Sequence, residues 1–341
     1  SLKKNILFHD GTPFNSKAMK FTIDRFQRIG TNNYILDNKI KSITTPNANT
    51  LIINLNKPSS SLEGLLTSIN LTAISPSFYK NHIDKFLNND FVGTGEYILK
   101  SFSNEVQILD PNLNYWDVRP KNQGINFVGY SNTSSLYGAL KSKQIDVLLS
   151  NSIDDSQRKD LYFLSNNKKI KEGISNPTEV SFITLRTNIE PLNNKEIRLA
   201  ISKTLNREKI SKKVSYGLRE PSKSIVPQIF KGDNIVYWPK YNPEEAITIL
   251  KNEGFCNGKT LNLPLTYRSN VPTDKLIAIY WKQDVQTYME DCLSININGV
   301  ESTTIYKNLS EGRYTAVILD WTGTYSDPEA YLLPLLKCNK L

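Results

Sequence analysis

The stretch Ala316-Val317-Ile318-Leu319-Asp320-Trp321-Thr322-Gly323-Thr324-Tyr325-Ser326-Asp327-Pro328-Glu329-Ala330-Tyr331 decides the fold. Ala316–Trp321 is an almost unbroken apolar run, which reads as a buried strand. Asp327-Pro328-Glu329 has the form of an N-cap followed by proline at the first helical position. Between them, Trp321-Thr322-Gly323-Thr324-Tyr325 runs off the carboxyl end of the strand. In open α/β sheets ligands bind at that end. Trp321 and Tyr325 offer large apolar contact with a polar handle, so Trp321, Thr322, Gly323, Thr324 and Tyr325 are candidate ligand contacts.

Working outward, the preceding hundred residues alternate helix and strand. Tyr241-Asn242-Pro243-Glu244 opens a helix that Gly254 ends. Leu261–Thr266 is a strand, 273–289 a helix, Ile295–Val300 a strand and Leu309–Arg313 a short turn. This is doubly wound α/β texture. Further back, Val180–Leu185 is a strand and 191–205 a helix. Ile125–Val128, Ser134–Lys141 and Ile145–Leu149 read as strand, helix and strand, a βαβ unit with a parallel pair. Near the start, Asn15 or Ser16 caps a helix whose Ala18, Met19, Ile23, Phe26 and Ile29 share a face, and Gly30 ends it. Ile40–Leu55 is a hairpin broken at Pro46-Asn47-Ala48-Asn49, and Tyr97–Leu109 a second strand pair. The glycines at Gly93-Thr94-Gly95 read as a turn, since no helix opens after them to hold a phosphate.

The bulk numbers narrow the function classes. A chain of 341 residues suits two domains on a prior of roughly 100–200 residues each. Hydrophobic residues at 39% supply a core and argue against disorder. No apolar run approaches the roughly 18 residues of a membrane span. The net charge of +9 invites nucleic-acid binding. The lysines are scattered, however, with small clusters at Lys168-Lys169 and Lys212-Lys213 and no interleaved aromatics, so no nucleic-acid partner is expected. The two histidines, His9 and His82, lie far apart, and the three cysteines form no CxxC pattern. Neither a metal site nor a cofactor is expected. No Gly-x-Ser-x-Gly elbow or Walker A motif occurs. Asp154-Asp155 and Glu244-Glu245 read as exposed charges at turns or helix starts.

A second segment, Phe8-His9-Asp10-Gly11-Thr12-Pro13-Phe14-Asn15, reads as architecture. Gly11 permits a tight turn, Pro13 fixes the exit, and Phe8 and Phe14 act as apolar plugs. Adjacent His9 and Asp10 are poorly placed to converge on one atom. This segment, Gly93-Thr94-Gly95-Glu96-Tyr97, the helix Asn194–Glu208 and Trp321–Tyr331 all resemble signature segments of the extracytoplasmic solute-binding proteins of ABC importers, in the peptide/nickel/opine class known as family 5. The resemblance implies a two-lobed periplasmic-binding-type α/β fold with mixed sheets and helices on both faces. Lobe one would span 1–178, with 1–110 mostly a smaller subdomain, and lobe two 179–341, incomplete at its end.

The resemblance also implies the function. A small solute or peptide enters the cleft, the lobes rotate about a hinge, and the closed form docks on a membrane permease. The protein would be a monomer, periplasmic or extracytoplasmic, with a lipid anchor as one form of attachment, and not an enzyme. Two rivals are a ligand-sensing domain of a transcriptional regulator and, with less support, a hydrolase. In peptide-binding members an aspartate stands where Thr324 stands here and pairs with the peptide ammonium. A hydroxyl cannot supply that charge-assisted bond, which disfavours free-amine peptides. Arg268 matches an arginine that holds the ligand carboxylate in dipeptide-binding relatives, a task suited to its forked guanidinium. The alternative is an exposed loop arginine. If the strands at 261 and 295 are parallel neighbours, Cys256 and Cys292 before them can form a disulfide. Cys338 would then lack a partner. Against the resemblance, the chain reads as the middle two-thirds of a longer protein.

Overall fold

The computed structural model describes residues 1–82, 90–149, 153–173, 175–230, 238–309 and 311–336. Contacts divide the chain into one unit of Ser1–Ser131 with Gly323–Leu341, and a second of Asn132–Thr322.

In the first unit, α1 (Ser16–Ile29) starts where the Asn15 side chain accepts from the Ala18 N–H and stops where the Gly30 N–H donates to Phe26. It buries Ala18, Ile23 and Phe26, the periodic face read from the sequence. β1 (Ile40–Asn47) and β2 (Thr50–Leu55) pair antiparallel. Two short helices follow, α2 (Leu62–Leu66) and α3 (Pro76–Tyr79). β3 (Tyr97–Phe102), β4 (Val106–Pro111) and β5 (Ile125–Val128) form a three-stranded sheet in that order. The Phe8–Asn15 segment is a tight loop closed by a bridge between Leu7 and Pro13, with Gly11 at φ +79°. Phe8 is buried edge-on to Phe14 at 6.0 Å. His9 bonds the Gly95 carbonyl, whereas Asp10 accepts from Thr12 and Ser75. The two side chains face different partners and form no acid–base pair.

The second unit begins with α4 (Thr133–Lys141) and α5 (Asp155–Asn166). β6 (Glu179–Leu185), α6 (Lys195–Lys203), α7 (Arg207–Lys213), α8 (Pro243–Asn252), β7 (Leu261–Arg268), α9 (Pro272–Met289), β8 (Leu293–Val300), α10 (Ser302–Leu309) and β9 (Ala316–Thr322) complete it. The sheet order is β6-β9-β7-β8. β7 pairs parallel with β8 and β9, whereas β6 pairs antiparallel with β9. β9 is apolar on both faces because both are covered, as an interior strand requires. Ala316 and Ile318 join the core formed with α6, α8 and α9, and Val317 and Leu319 pack against Ile305 of α10. Each fully buried leucine or isoleucine there contributes about 1.5–3 kcal/mol. Cys256 and Cys292 are joined by a disulfide just ahead of β7 and β8. Cys338 lies outside the described residues. After β9 the chain re-enters the first unit, where α11 (Glu329–Leu336) lies.

Two expectations are corrected. No βαβ unit spans 125–149: β5 pairs antiparallel with β4, and Ile145–Leu149 is not a strand. Val147 and Leu149 are 77% and 68% exposed, so that apolar run lacks the burial a parallel strand needs. The contact division falls at 131/132 and 322/323: α4 and α5 belong to the second unit, and 323–341 to the first. The anchor for α5 is Asp155, which is buried rather than exposed and is bonded to Arg158, Arg219 and Thr273 of its own unit. α5 carries a full capping box of Asp154 with Gln157. Residues 302–309 also form a helix. The Glu301 side chain accepts from the Thr303 N–H, and the Asn270 side chain from the Ser302 N–H.

Candidate functional site

The carboxyl ends of β7 and β9 carry an ion network wholly within the second unit. Arg268, the last residue of β7, is only 4% exposed. Its Nε donates to Asp274 Oδ2 at 2.7 Å and its Nη2 to Asp274 Oδ1 at 3.1 Å, a bidentate pairing. The same Nη2 lies 2.7 Å from Asp320 Oδ2 on β9, and Nη1 donates to the Tyr306 hydroxyl at 3.2 Å. Burial opposes the guanidinium charge, but the bonds to Asp274 and Asp320 outweigh it and raise its pKa above the ordinary arginine value. Asp274 stands in the first turn of α9, where a carboxylate also suits the helix N-terminus. Its neighbour Thr273 donates to Asp155, and Arg219 joins Asp155 to Glu179 at the start of β6. The start of α9 thus ties two arginine–carboxylate networks to one end of the sheet's strands.

Arg268 is therefore neither an exposed loop residue nor a guanidinium without anions. It already faces two carboxylates, and the trio Arg268, Asp274 and Asp320 carries one more negative charge than positive. That balance does not favour a further carboxylate. The signal in the sequence was local: Asp274 follows Pro272 at a helix start, a few residues beyond the end of β7.

Trp321 and Thr322 are the last residues of β9 and pair with Val180 and Glu179. The chain then leaves the second unit between Thr322 and Gly323. In the first unit the Gly323 backbone hydrogen-bonds the Tyr331 hydroxyl. A Cβ on Gly323 would lie 2.8 Å from Tyr331 Cε2 and 3.0 Å from Ala330 Cβ, so close packing on α11 requires glycine here. Tyr325 is buried, and its hydroxyl donates to Glu329 Oε2 at 3.1 Å. Burial, then the neighbouring Glu329 charge, pushes the Tyr325 pKa upward. The Asp327 side chain accepts from the Glu329 N–H at 2.8 Å, a capping role.

Glu329 collects two further donors, Lys39 Nζ at 2.6 Å and the Ser61 hydroxyl. Sequence reasoning passed over this trio because its members lie far apart along the chain. Ser61 Oγ also lies 3.3 Å from Lys39 Nζ, the spacing of a serine–lysine nucleophile. The Glu329 carboxylate opposes that chemistry, because it accepts from both the lysine amine and the serine hydroxyl. Among the described residues no cluster of three or more His, Cys, Asp or Glu is placed to hold a metal.

The whole chain, residues 1–341, matches the family described as Bacterial extracellular solute-binding proteins, family 5 Middle. This chain belongs to that family. It is similar to the nickel-binding periplasmic protein of Escherichia coli (strain K12), 23% identical over 355 residues, covering 97% of this chain and 66% of that protein. It is also similar to a probable D,D-dipeptide-binding periplasmic protein of the same organism, 24% identical over 340 residues, covering 97% of this chain and 63% of that one. Among solved structures it matches the dipeptide-binding protein from Pseudoalteromonas sp. SM9913 in complex with Met-Leu, with a TM-score of 0.85, 21% identity, and coverage of 99% of this chain and 70% of that one. The fold class is that of the two-lobed periplasmic binding proteins. The chain spans just under two-thirds of the length of these curated relatives.

Proposed function

We propose that this chain is the central part of the substrate-binding component of an ABC importer. It captures a small peptide-like or related solute and delivers it unchanged to a membrane permease. The observation that carries the reading is Trp321–Tyr325, which continues off the carboxyl end of a sheet strand with an aromatic at each end. Trp321, Thr322, Gly323, Thr324 and Tyr325 supply the contacts. Arg268 acts in this reading by holding Asp320 at the base of that segment rather than by gripping a ligand carboxylate, because Asp274 and Asp320 already occupy its fork.

The protein works as an extracytoplasmic monomer. The disulfide between Cys256 and Cys292 suits an oxidising compartment. The ligand binds one arrangement of the protein more tightly than another, which is all that a capture-and-release cycle requires.

The test is native mass spectrometry of freshly purified full-length protein. The expected result is a co-purifying small molecule that is released on mild unfolding, rebinds, and keeps its mass after prolonged incubation. Turnover of that molecule, abolished by Ser61→Ala or Lys39→Met, would replace this reading with a hydrolase.

A further inference from the structure

Glu329 receives donors from two distant parts of the first unit. Lys39 Nζ bonds Oε1 at 2.6 Å across a separation of 290 residues, and the Ser61 hydroxyl bonds Oε2 across 268. Both donors stand on fixed backbone. The Lys39 N–H donates to Leu36 and its carbonyl accepts from Asn56, which holds it at the edge of the β1–β2 hairpin. Ser61 is buried, its carbonyl accepts from the Leu65 N–H of α2, and its hydroxyl also meets Ser59 at 3.1 Å.

A carboxylate at the first position of a helix is ordinarily explained by the helix dipole. That explanation requires neither a lysine from before β1 nor a serine from before α2. Glu329 also holds Tyr325, the end of the proposed contact segment, through the tyrosine hydroxyl. Two segments remote in sequence therefore converge on one side chain with the nearby Tyr325, and the chain that has just entered the unit is held through it.

We propose that Lys39 and Glu329 are positioning residues: their ion pair, made outside the contact segment, sets where Gly323, Thr324 and Tyr325 stand in the first unit. The proposal rests on the reading of 321–325 as ligand contact, but its test uses no ligand, so its failure would leave that reading standing.

The charged and titratable groups facing Glu329 are Lys39, Tyr325 and, acting on Tyr325, Asp327 and Tyr34. Burial raises the Glu329 pKa, but the bonds from Lys39 and Ser61 and the lysine charge outweigh it and hold it below the usual carboxylate range. A carboxyl group with a lowered folded pKa stabilises above its unfolded value of about 4.3 and loses that contribution as pH falls through the folded value. The link should therefore hold at neutral and mildly acidic pH and weaken as pH falls below the unfolded value of about 4.3.

The experiment is amide hydrogen exchange on the full-length protein, read at Gly323, Asp327 and residue 329 and compared with the β1–β2 hairpin. Glu329→Gln and Lys39→Met should each speed exchange at those amides about threefold to tenfold with the hairpin unchanged. The exchanged pair Lys39→Glu with Glu329→Lys should restore most of the protection. In the unaltered protein, protection at these amides relative to the hairpin should decline as pH falls below the unfolded carboxyl value of about 4.3, and in Glu329→Gln it should stay flat with pH. Unchanged exchange in the single variants, or a uniform rise across the whole first unit, overturns the proposal. So does a charge-exchanged variant no better protected than Glu329→Gln.

Discussion

Asp320 and Glu329 bracket the segment in which the chain passes from one unit to the other, and the two are held differently. Asp320, 29% exposed, is held by Arg268, and Arg268 is itself fixed by the buried Asp274, the side chains of that second pair being only 5% and 3% exposed. Glu329 is held by Lys39, with side chains 30% and 15% exposed. A rigid, always-charged fork serves the buried site, and a flexible ammonium serves the half-open one. Removing one partner of the buried pair strands a charge in low dielectric, whereas removing one partner of the half-open pair lets water replace it. The end of the segment in the second unit is therefore the stiff end, and its other end the adjustable one.

The largest test of that contrast is Arg268→Ala. It leaves Asp274 buried and unpaired, and should cost about 3–5 kcal/mol in urea unfolding of the second unit. Arg268→Met combined with Asp274→Leu should recover most of that loss, because the cost lies in the uncompensated charge. Breaking the disulfide should come close behind. The two cysteines are 36 residues apart, and closing such a loop is worth about 4 kcal/mol in chain entropy. A Cys256→Ser, Cys292→Ser variant should unfold at correspondingly lower urea while the first unit's transition stays in place. Gly323→Ala should cost about 1–3 kcal/mol, since its Cβ must displace the Tyr331 ring and Ala330. Glu329→Gln should cost about 1 kcal/mol or less in the same measurement. Should Glu329→Gln prove as costly as Arg268→Ala, the contrast between a stiff and an adjustable end is lost.

Much of the fold was legible because the decisive signals are local. The cap at Asn15, the turn after Pro46, and the strands at 180, 261, 295 and 316 each rest on residues adjacent in sequence. The failures share the opposite character. Ile145–Leu149 looked like a strand because an apolar run does not reveal whether anything covers it. α5 and α10 were passed over because no apolar stripe marks them: the buried residue of α5 is Asp155 and that of α10 is Ile305. The tie of α5 to the second unit was not legible, because Asp155 finds Arg219 and Thr273 at separations of 64 and 118 residues.

The candidate site divides the same way. Trp321–Tyr325 could be named from the strand-to-helix pattern, and Asp274 lies six residues from Arg268, whereas Asp320 and the lysine that holds Glu329 are brought in by folding.

The central claim is that Trp321–Tyr325 grips the solute. Calorimetric titration of full-length protein with the molecule recovered from native mass spectrometry tests it directly, comparing Trp321→Ala with the unaltered chain at matched thermal stability. The account predicts a loss of affinity of at least about tenfold, as for a buried aromatic anchor. Equal affinity in the two proteins would contradict it.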